Sequence, residues 1–340
     1  MLVRIRKAVE LYVVLWLAVF CLHAGHGAFA GQENPARAAE GPVSLIFDSD
    51  FDSDVDDVGA LALLHALADM GQARILAVIL TTEDVDAAAC ADAINTYFGR
   101  PDLPVGVCRH QKVRSFSRYT KAIAGEFAHD LKSHEDAEDG VELYRRILAA
   151  EPDGSVTIVT VGHLTNLKNL LASGPDEHSR LSGLELVAKK VKLWSCMGGR
   201  YPSGKEPNFY RPDPESTAIC VGSWPTAVVF SGGEIGDPIK TGGALLKERA
   251  SKDNPVRRSY ELYNQFQGRS SWDQTAVLYA VRGEAEYWSL YCQGYNHVFA
   301  DGSNEWRSLP ERPHAYLVEK MKPVELAKVI DELMLHSPGR

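Results

Sequence analysis

The chain has 340 residues, 45% of them hydrophobic and 24% charged, enough for one large or two small soluble domains. A net charge of −9 and a pI of about 5.7 give no electrostatic footprint for a nucleic-acid partner. Five of its six cysteines lie beyond residue 30, widely spaced and with no Cys-x-x-Cys pair. That spacing argues against a zinc site and leaves one or two disulfides open; most of these thiols read as buried apolar fillers.

In chain order, Arg4, Arg6 and Lys7 precede an apolar run from Leu11 to Leu22, and Ala28-Phe29-Ala30 follows. This basic–apolar–small pattern predicts a signal peptide cleaved before Gly31, and so a periplasmic or secreted protein. The apolar run is too short for a comfortable membrane span, and Phe20 before Cys21 does not fit a lipoprotein box. No stable membrane anchor is expected after cleavage. Residues 31–42 read as a flexible leader, and a single domain is expected over 43–335. Strands are predicted at Val43–Asp48, Arg74–Leu80, Val156–Val161, Val191–Cys196 and Thr226–Ser231. Helices are predicted at Asp56–Met70, Ala88–Phe98, Val141–Ala150, Leu164–Ala172, Pro214–Val221, Val256–Gln267 and Asp273–Val281. Asp213 before Pro214 is a cap followed by a first-turn proline. Val/Ile/Leu-rich strands alternating with helices predict an α/β fold: an open, largely parallel sheet with helices on both faces.

Such sheets bind ligands at the carboxyl edge of their strands. The first strand runs into Asp48-Ser49-Asp50-Phe51-Asp52-Ser53-Asp54-Val55-Asp56-Asp57, six carboxylates in ten residues. Two like charges about 4 Å apart at an effective dielectric of about 20 repel by roughly 4 kcal/mol. A hard divalent cation, calcium or magnesium, relieves that repulsion, because carboxylate oxygen suits it. The plainer alternative is a solvated acidic loop whose aspartates cap the next helix. Polar and glycine-rich residues also follow the other strands: Glu83-Asp84, Gly162-His163-Leu164-Thr165-Asn166, Met197-Gly198-Gly199 and Gly232-Gly233-Glu234.

These residues resemble the inosine–uridine-preferring nucleoside hydrolase family. The stretch Asp48 to Val58 is similar to the family's Asp-Thr-Asp-Ile-Gly-Ser-Asp-x-Asp-Asp-Ala, and Gly162 to Asn166 to its Gly-x-Leu-Thr-Asn. Met197-Gly198-Gly199 with Glu206-Pro207-Asn208 is similar to Met-Gly-Gly…Glu-x-Asn, and Ser271-Trp272-Asp273-Gln274 closes the set. The resemblance implies calcium-dependent hydrolysis of the ribosyl C–N bond, with calcium held by Asp50, Asp57, the Val161 carbonyl and Asp273. Asp50 would also be the general base on the attacking water, Asp56 would accept from the ribose diol, and Glu206 and Asn208 would hold the other hydroxyls. Met197, Glu83 and Asp84 are further candidates for contact with the substrate, a nucleoside or related riboside. Trp272 stands where some members carry His and purine-preferring members carry Trp, which implies a purine stacked on the indole.

Three positions depart from the pattern. Asp52 replaces a glycine, Glu83 and Asp84 occupy the region of a sugar-binding Asn, and the Arg200–Lys205 loop lacks another. The metal site reads as complete and the ribose site as edited, so an exported binding protein that has lost turnover is the alternative. A haloacid-dehalogenase-type phosphatase would need a second acidic pair, and an EF-hand would need Gly and Glu where Ser53 and Gly59 stand. His163 reads as a structural loop residue, His110, His129 and His134 as surface positions, and Glu234 as within reach of the strand ends. The oligomeric state stays open, a homo-oligomer included.

Overall fold

The structure, a computed structural model, describes residues 41–51, 53–109 and 116–338. The expected signal peptide, its cleavage point and residues 31–40 of the leader lie outside these residues, as do Asp52 and His110. Among the described residues no helix is long and apolar enough to cross a membrane.

Nine strands form the central sheet: β1 (Val43–Ser49), β2 (Ala73–Leu80), β3 (Val105–Val107), β4 (Glu138–Asp139), β5 (Val156–Thr160), β6 (Val191–Met197), β8 (Ala227–Ser231), β11 (Trp288–Tyr291) and β14 (His314–Glu319). Their order is β11-β14-β8-β6-β5-β1-β2-β3-β4. Every neighbouring pair is parallel except β11 with β14. The other strands are β7 (Ser203–Lys205), β9 (Lys240–Thr241), β10 (Arg269–Ser270), β12 (Tyr295–Val298) and β13 (Ser303–Arg307). Of these, β12-β13-β7 form a small three-stranded sheet and β9-β10 a two-stranded one.

All five predicted strands belong to the central sheet, with bounds within a residue or so. Their residues alternate between two cores, one on each face: Leu45 and Phe47 of β1 join one, and Ile46 joins the other. Both faces are dry, which is why these strands read as continuous apolar runs.

The helices are α1 (Asp56–Asp69), α2 (Ala87–Tyr97), α3 (Thr120–Glu126), α4 (Gly140–Ala150), α5 (Thr165–Ala172), α6 (Gly183–Lys190), α7 (Pro207–Tyr210), α8 (Pro214–Ser223), α9 (Gly233–Gly236), α10 (Ala244–Arg249), α11 (Pro255–Asn264), α12 (Trp272–Arg282) and α13 (Pro323–Met334). Asp213 caps α8 as expected, accepting from Ser216 N. Helix α1 is buried on every side from Asp56 to Leu67, packed between β2, α12 and α13. A helix covered all round carries no polar stripe. Its first turn therefore brings two aspartates into the interior.

Strand order reverses between β1 and β5: the chain builds outward from β1 through β2, β3 and β4, then returns to the other side of β1. In an open α/β sheet that reversal leaves a crevice at the carboxyl ends of the two strands. β1 and β5 end level, with Asp48 opposite Thr160 and Val161 N–H donating to the Asp48 carbonyl at 2.8 Å.

Candidate active site

A cavity of about 200 Å³ opens at this crevice. Five separated stretches meet in it: the loop after β1 with the start of α1 (Asp50, Ser53, Asp54, Asp56, Asp57), the loop after β5 (Val161, His163), Met197 to Arg211, Gly233 to Asp237, and Arg269 to Asp273.

The acidic loop is shaped by its own side chains. Phe51 is buried with φ of 44°, a left-handed conformation that a bulky residue seldom adopts. Its N–H donates to Asp57 Oδ1 at 3.2 Å, and Ser49 Oγ donates to the same oxygen at 2.5 Å. Gly162 lets the loop after β5 come close, since a Cβ there would fall 2.7 Å from Asp50 N. Beneath the floor Asp48 is fully buried, accepting from Thr81 Oγ1 at 2.6 Å and Tyr144 OH at 2.9 Å. Burial pushes its carboxyl up to about 7.

The floor is crowded with negative charge. One oxygen each of Asp54, Asp56 and Asp57 lie within 4.8 Å of one another. Asp56 Oδ2 accepts the N–H groups of Trp272 and Asp273, both at 3.2 Å, while Asp56 Oδ1 is buried with no hydrogen-bond partner. Burial, and then the neighbouring carboxylates, push Asp56 and Asp273 well above the usual carboxylate range. Asp54 is held by Arg269 Nη2 at 2.5 Å. An orphaned buried oxygen among all-oxygen donors fits a hard divalent cation. The tightest trio shares only Asp57 with the ligand set that the family resemblance implies; Asp50, Asp273 and Val161 line the same cavity.

The walls carry the remaining candidates. Glu206 is buried, accepts from Gly199 N at 3.2 Å and Asn208 N at 3.0 Å, and is pushed up to about 7 by burial. Asn208 Nδ2 donates to the Val161 carbonyl at 2.8 Å and meets Met197 Sδ at 3.2 Å. Trp272 is fixed through Nε1, which donates to Asp237 Oδ1 at 2.9 Å and the Gly233 carbonyl at 3.1 Å. The Arg269 guanidinium lies 4.6 Å from the centre of the indole.

Glu83, Asp84 and Glu234 stand apart. Glu83 is exposed, Asp84 accepts from Thr120 Oγ1 at 2.7 Å, and Glu234 accepts from Tyr201 N at 3.1 Å. Among the described residues none of the three lines the cavity. His163, expected to be structural, does line it, with Nε2 3.1 Å from Asp50 Oδ2. Burial, and then Arg211, push His163 down to about 4.

The family model for inosine–uridine preferring nucleoside hydrolases matches residues 45–323. The chain belongs to this family. It is accordingly a hydrolase acting on N-glycosyl bonds, and nucleosides are the substrates its family acts on. No curated protein matches the chain. Among solved structures the fold is similar to a plant nucleoside hydrolase, at 18% identity and a TM-score of 0.62, covering 86% of this chain and 99% of that one. It is similar to the inosine–uridine preferring nucleoside hydrolase of Bacillus anthracis, at 14% identity and 0.63, covering 86% and 99%. It is also similar to the type III effector XopQ complexed with adenosine diphosphate ribose, at 17% identity and 0.57, covering 88% and 97%. At these identities the likeness is one of fold.

For a nucleoside hydrolase of this family, motif reading reached the acidic floor and missed the basic wall. Arg200, Arg211 and Arg269 line the cavity with Asp237, and no spacing in the sequence marks them. Arg200 follows the Met-Gly-Gly turn and Arg269 stands three residues before Trp272, which are the only local signals.

Proposed function

We propose that this protein hydrolyses the N-glycosidic bond of ribonucleosides in a calcium-dependent reaction, with purine nucleosides preferred. The observation that carries this reading is the meeting, in one cavity at the β1/β5 crevice, of Asp50, Asp56, Asp57, Val161 and Asp273 with Glu206, Asn208 and Trp272. Asp50, Asp57, Asp273 and the Val161 carbonyl would hold the cation, since Arg269 already engages Asp54. When bound, calcium supplies positive charge that orients the attacking water and the sugar hydroxyls.

The chain's own residues do the rest. Asp50 takes the proton of the attacking water, a role typically worth about 10²–10⁴-fold. Asp56 accepts from the ribose diol through its open Oδ1, and Glu206 and Asn208 face the remaining, primary hydroxyl. C1′ gains the water's hydroxyl as its bond to the base nitrogen breaks through an oxocarbenium-like transition state; the departing base takes a proton from solvent and Asp50 returns its own to solvent. The Trp272 ring, carrying Arg269 on one face, offers a flat and cation-bearing wall to the departing base. A purine covers more of such a wall than a pyrimidine.

Release of free base from inosine, guanosine, adenosine, uridine and cytidine, measured with calcium and with a chelator, tests this directly. Purine release that stops with chelator and returns with calcium is the expected result. Calcium binding without release from any nucleoside would instead favour a binding protein that keeps the fold. Export with cleavage before Gly31 is part of the same proposal. Mass spectrometry of the protein from its native host should find that start, and an intact Met1 would contradict it.

A further inference from the structure

The position of the Trp272 ring is set from outside its own helix. Trp272 is the first residue of α12, and Ser271 before it makes no side-chain cap. Asp56 takes over that task from the cavity floor, accepting the N–H groups of Trp272 and Asp273. The backbone is thereby fixed, while two side-chain torsions stay free to turn the ring. An indole has one hydrogen-bonding atom, Nε1. Whatever holds that atom sets the plane of the ring.

The loop after β8 does so. Trp272 Nε1 donates to the Gly233 carbonyl at 3.1 Å and, more closely, to Asp237 Oδ1 at 2.9 Å. The second bond is the stronger, because a carboxylate is the better acceptor. Gly236 brings this loop against the ring: a Cβ there would fall 2.4 Å from Trp272 Cδ1. Asp237 is aimed in its turn. Its Oδ2 accepts from Arg200 Nη1 at 2.9 Å, and its carbonyl accepts from Ser270 Oγ at 3.1 Å. Arg200 is gripped by buried Asn304 of β13, which accepts from Arg200 N at 2.9 Å and donates to its carbonyl at 3.0 Å. A line of contacts thus runs from the small sheet to the indole.

Asp237 lines the cavity, yet both its oxygens are engaged, one by the ring and one by Arg200. We infer that Asp237 is a positioning residue for base selection: by holding Nε1 it fixes the plane of Trp272, and with it the preference for a purine over a pyrimidine. The inference rests on the proposed function, in which the indole is the wall that the base meets. A ring fixed in advance removes a rotamer cost that the base would otherwise meet on binding. A purine covers more of the ring, so it loses most when the ring turns away. The side chains of Arg200 and Asp237 are 39% and 43% exposed, and an ion pair so exposed is worth a factor of about five at most. Its task is to aim the carboxylate.

The test uses the whole mature protein with calcium. It reads binding of hypoxanthine and uracil by calorimetry, turnover of inosine and uridine, and the tryptophan region of the near-ultraviolet circular dichroism. Asp237→Ala should weaken hypoxanthine about fivefold and uracil by no more than about twofold, as loss of one hydrogen bond behind an aromatic contact implies. It should lower the inosine-to-uridine ratio of kcat/KM to match, and lose the part of the tryptophan dichroism that Trp272→Ala loses. Asp237→Asn, which keeps an acceptor for Nε1, should restore most of all three. Gly236→Ala, which crowds the ring and leaves the carboxylate in place, should repeat the loss, and it carries the same test should Asp237→Ala not fold.

In a Trp272→Ala background, Asp237→Ala should have no further effect. A loss that persists there would mean that the carboxylate meets the substrate itself, and would overturn the inference. Wild-type base binding and dichroism in Asp237→Ala, or in Gly236→Ala where it stands in, would overturn it too. If inosine is hydrolysed and these variants are silent, the positioning role fails while the hydrolase reading stands. If no nucleoside is hydrolysed but hypoxanthine binding and the dichroism respond as stated, the hydrolase reading fails and the positioning role stands.

Discussion

Arg145 and Asp273 are both charged side chains buried in this molecule, and their surroundings differ in kind. Arg145, on α4, donates to Asp176, to Ser173 Oγ at 2.9 Å, and to the Ser179 and Leu181 carbonyls at 3.2 and 3.0 Å. Asp176 is correspondingly held down at about 2, chiefly by its hydrogen bond to Arg145. Asp273 instead lies buried among Asp56, Asp57, Asp54 and Asp50, which together with burial push it up. Where the fold itself needs a buried charge, the chain supplies the partners. At the cavity floor the chain supplies mostly more carboxylates, as a site does when its positive charge comes from outside.

The largest effect that would break this comparison is on activity. Asp50→Asn should lower kcat by about 10²–10⁴-fold and leave the circular dichroism spectrum unchanged. Retained turnover would remove Asp50 from the role of base.

Next in size is the contrast in stability. Arg145→Ala should cost about 1–3 kcal/mol, because it removes a buried guanidinium and leaves the Ser179 and Leu181 carbonyls without their donor. Asp273→Asn should leave the melting temperature of the calcium-free protein unchanged or raise it, because it removes one of several crowded carboxylates. It should also abolish the rise that calcium gives the wild type. Urea denaturation and melting curves, each with and without calcium, measure both. A large loss in calcium-free Asp273→Asn would mean that the floor is held together by its own bonds, as the Arg145 knot is.

A smaller effect sharpens the reading of the wall. Trp272→Ala should lower kcat together with kcat/KM for purine nucleosides by about tenfold, the size of an aromatic contact made in the transition state. A rise in KM alone would reduce the indole to a binding platform.

The smallest concerns a third treatment of buried groups, in which charge is avoided. Burial pushes His65 and His314 down to about 3, so both are neutral in the fold at pH 7. The unfolded chain, with ordinary histidines near 6.5, takes up protons first as pH falls. Their contribution to stability is complete above about pH 6.5 and is lost toward pH 3, by about 1.4 kcal/mol per unit for each histidine. His314→Gln should therefore lose less stability than the wild type between pH 7 and pH 5 in urea titrations.

The parts legible in the sequence were those whose signal is local. Five strands buried on both faces announced themselves as Val/Ile/Leu runs, and Asp213-Pro214 marked a helix start. β3 and β4, at three and two residues, are too short to carry a period. β14, which passes from buried His314 and Ala315 to exposed Val318 and Glu319, pairs with the antiparallel edge strand β11 and lacks the continuous apolar run of the other core strands. Helix α13 starts on a first-turn proline, Pro323, a local sign legible in the sequence. At the site, the acidic run from Asp48 to Asp57 was legible by itself, and the family resemblance is what joined Asp273 to it. Arg200 could not be read in the same way, because Asn304, about a hundred residues further along the chain, holds it there.

Calorimetric titration of calcium into the wild type and Asp57→Ala tests the central claim most directly. Asp57 belongs both to the Asp54–Asp56–Asp57 trio and to the proposed ligand set, so either arrangement of the ion depends on it. The wild type should bind a single ion per chain and Asp57→Ala none, with circular dichroism unchanged between them. Calcium that binds both proteins alike, or neither, would contradict the reading of the acidic floor as a cation site.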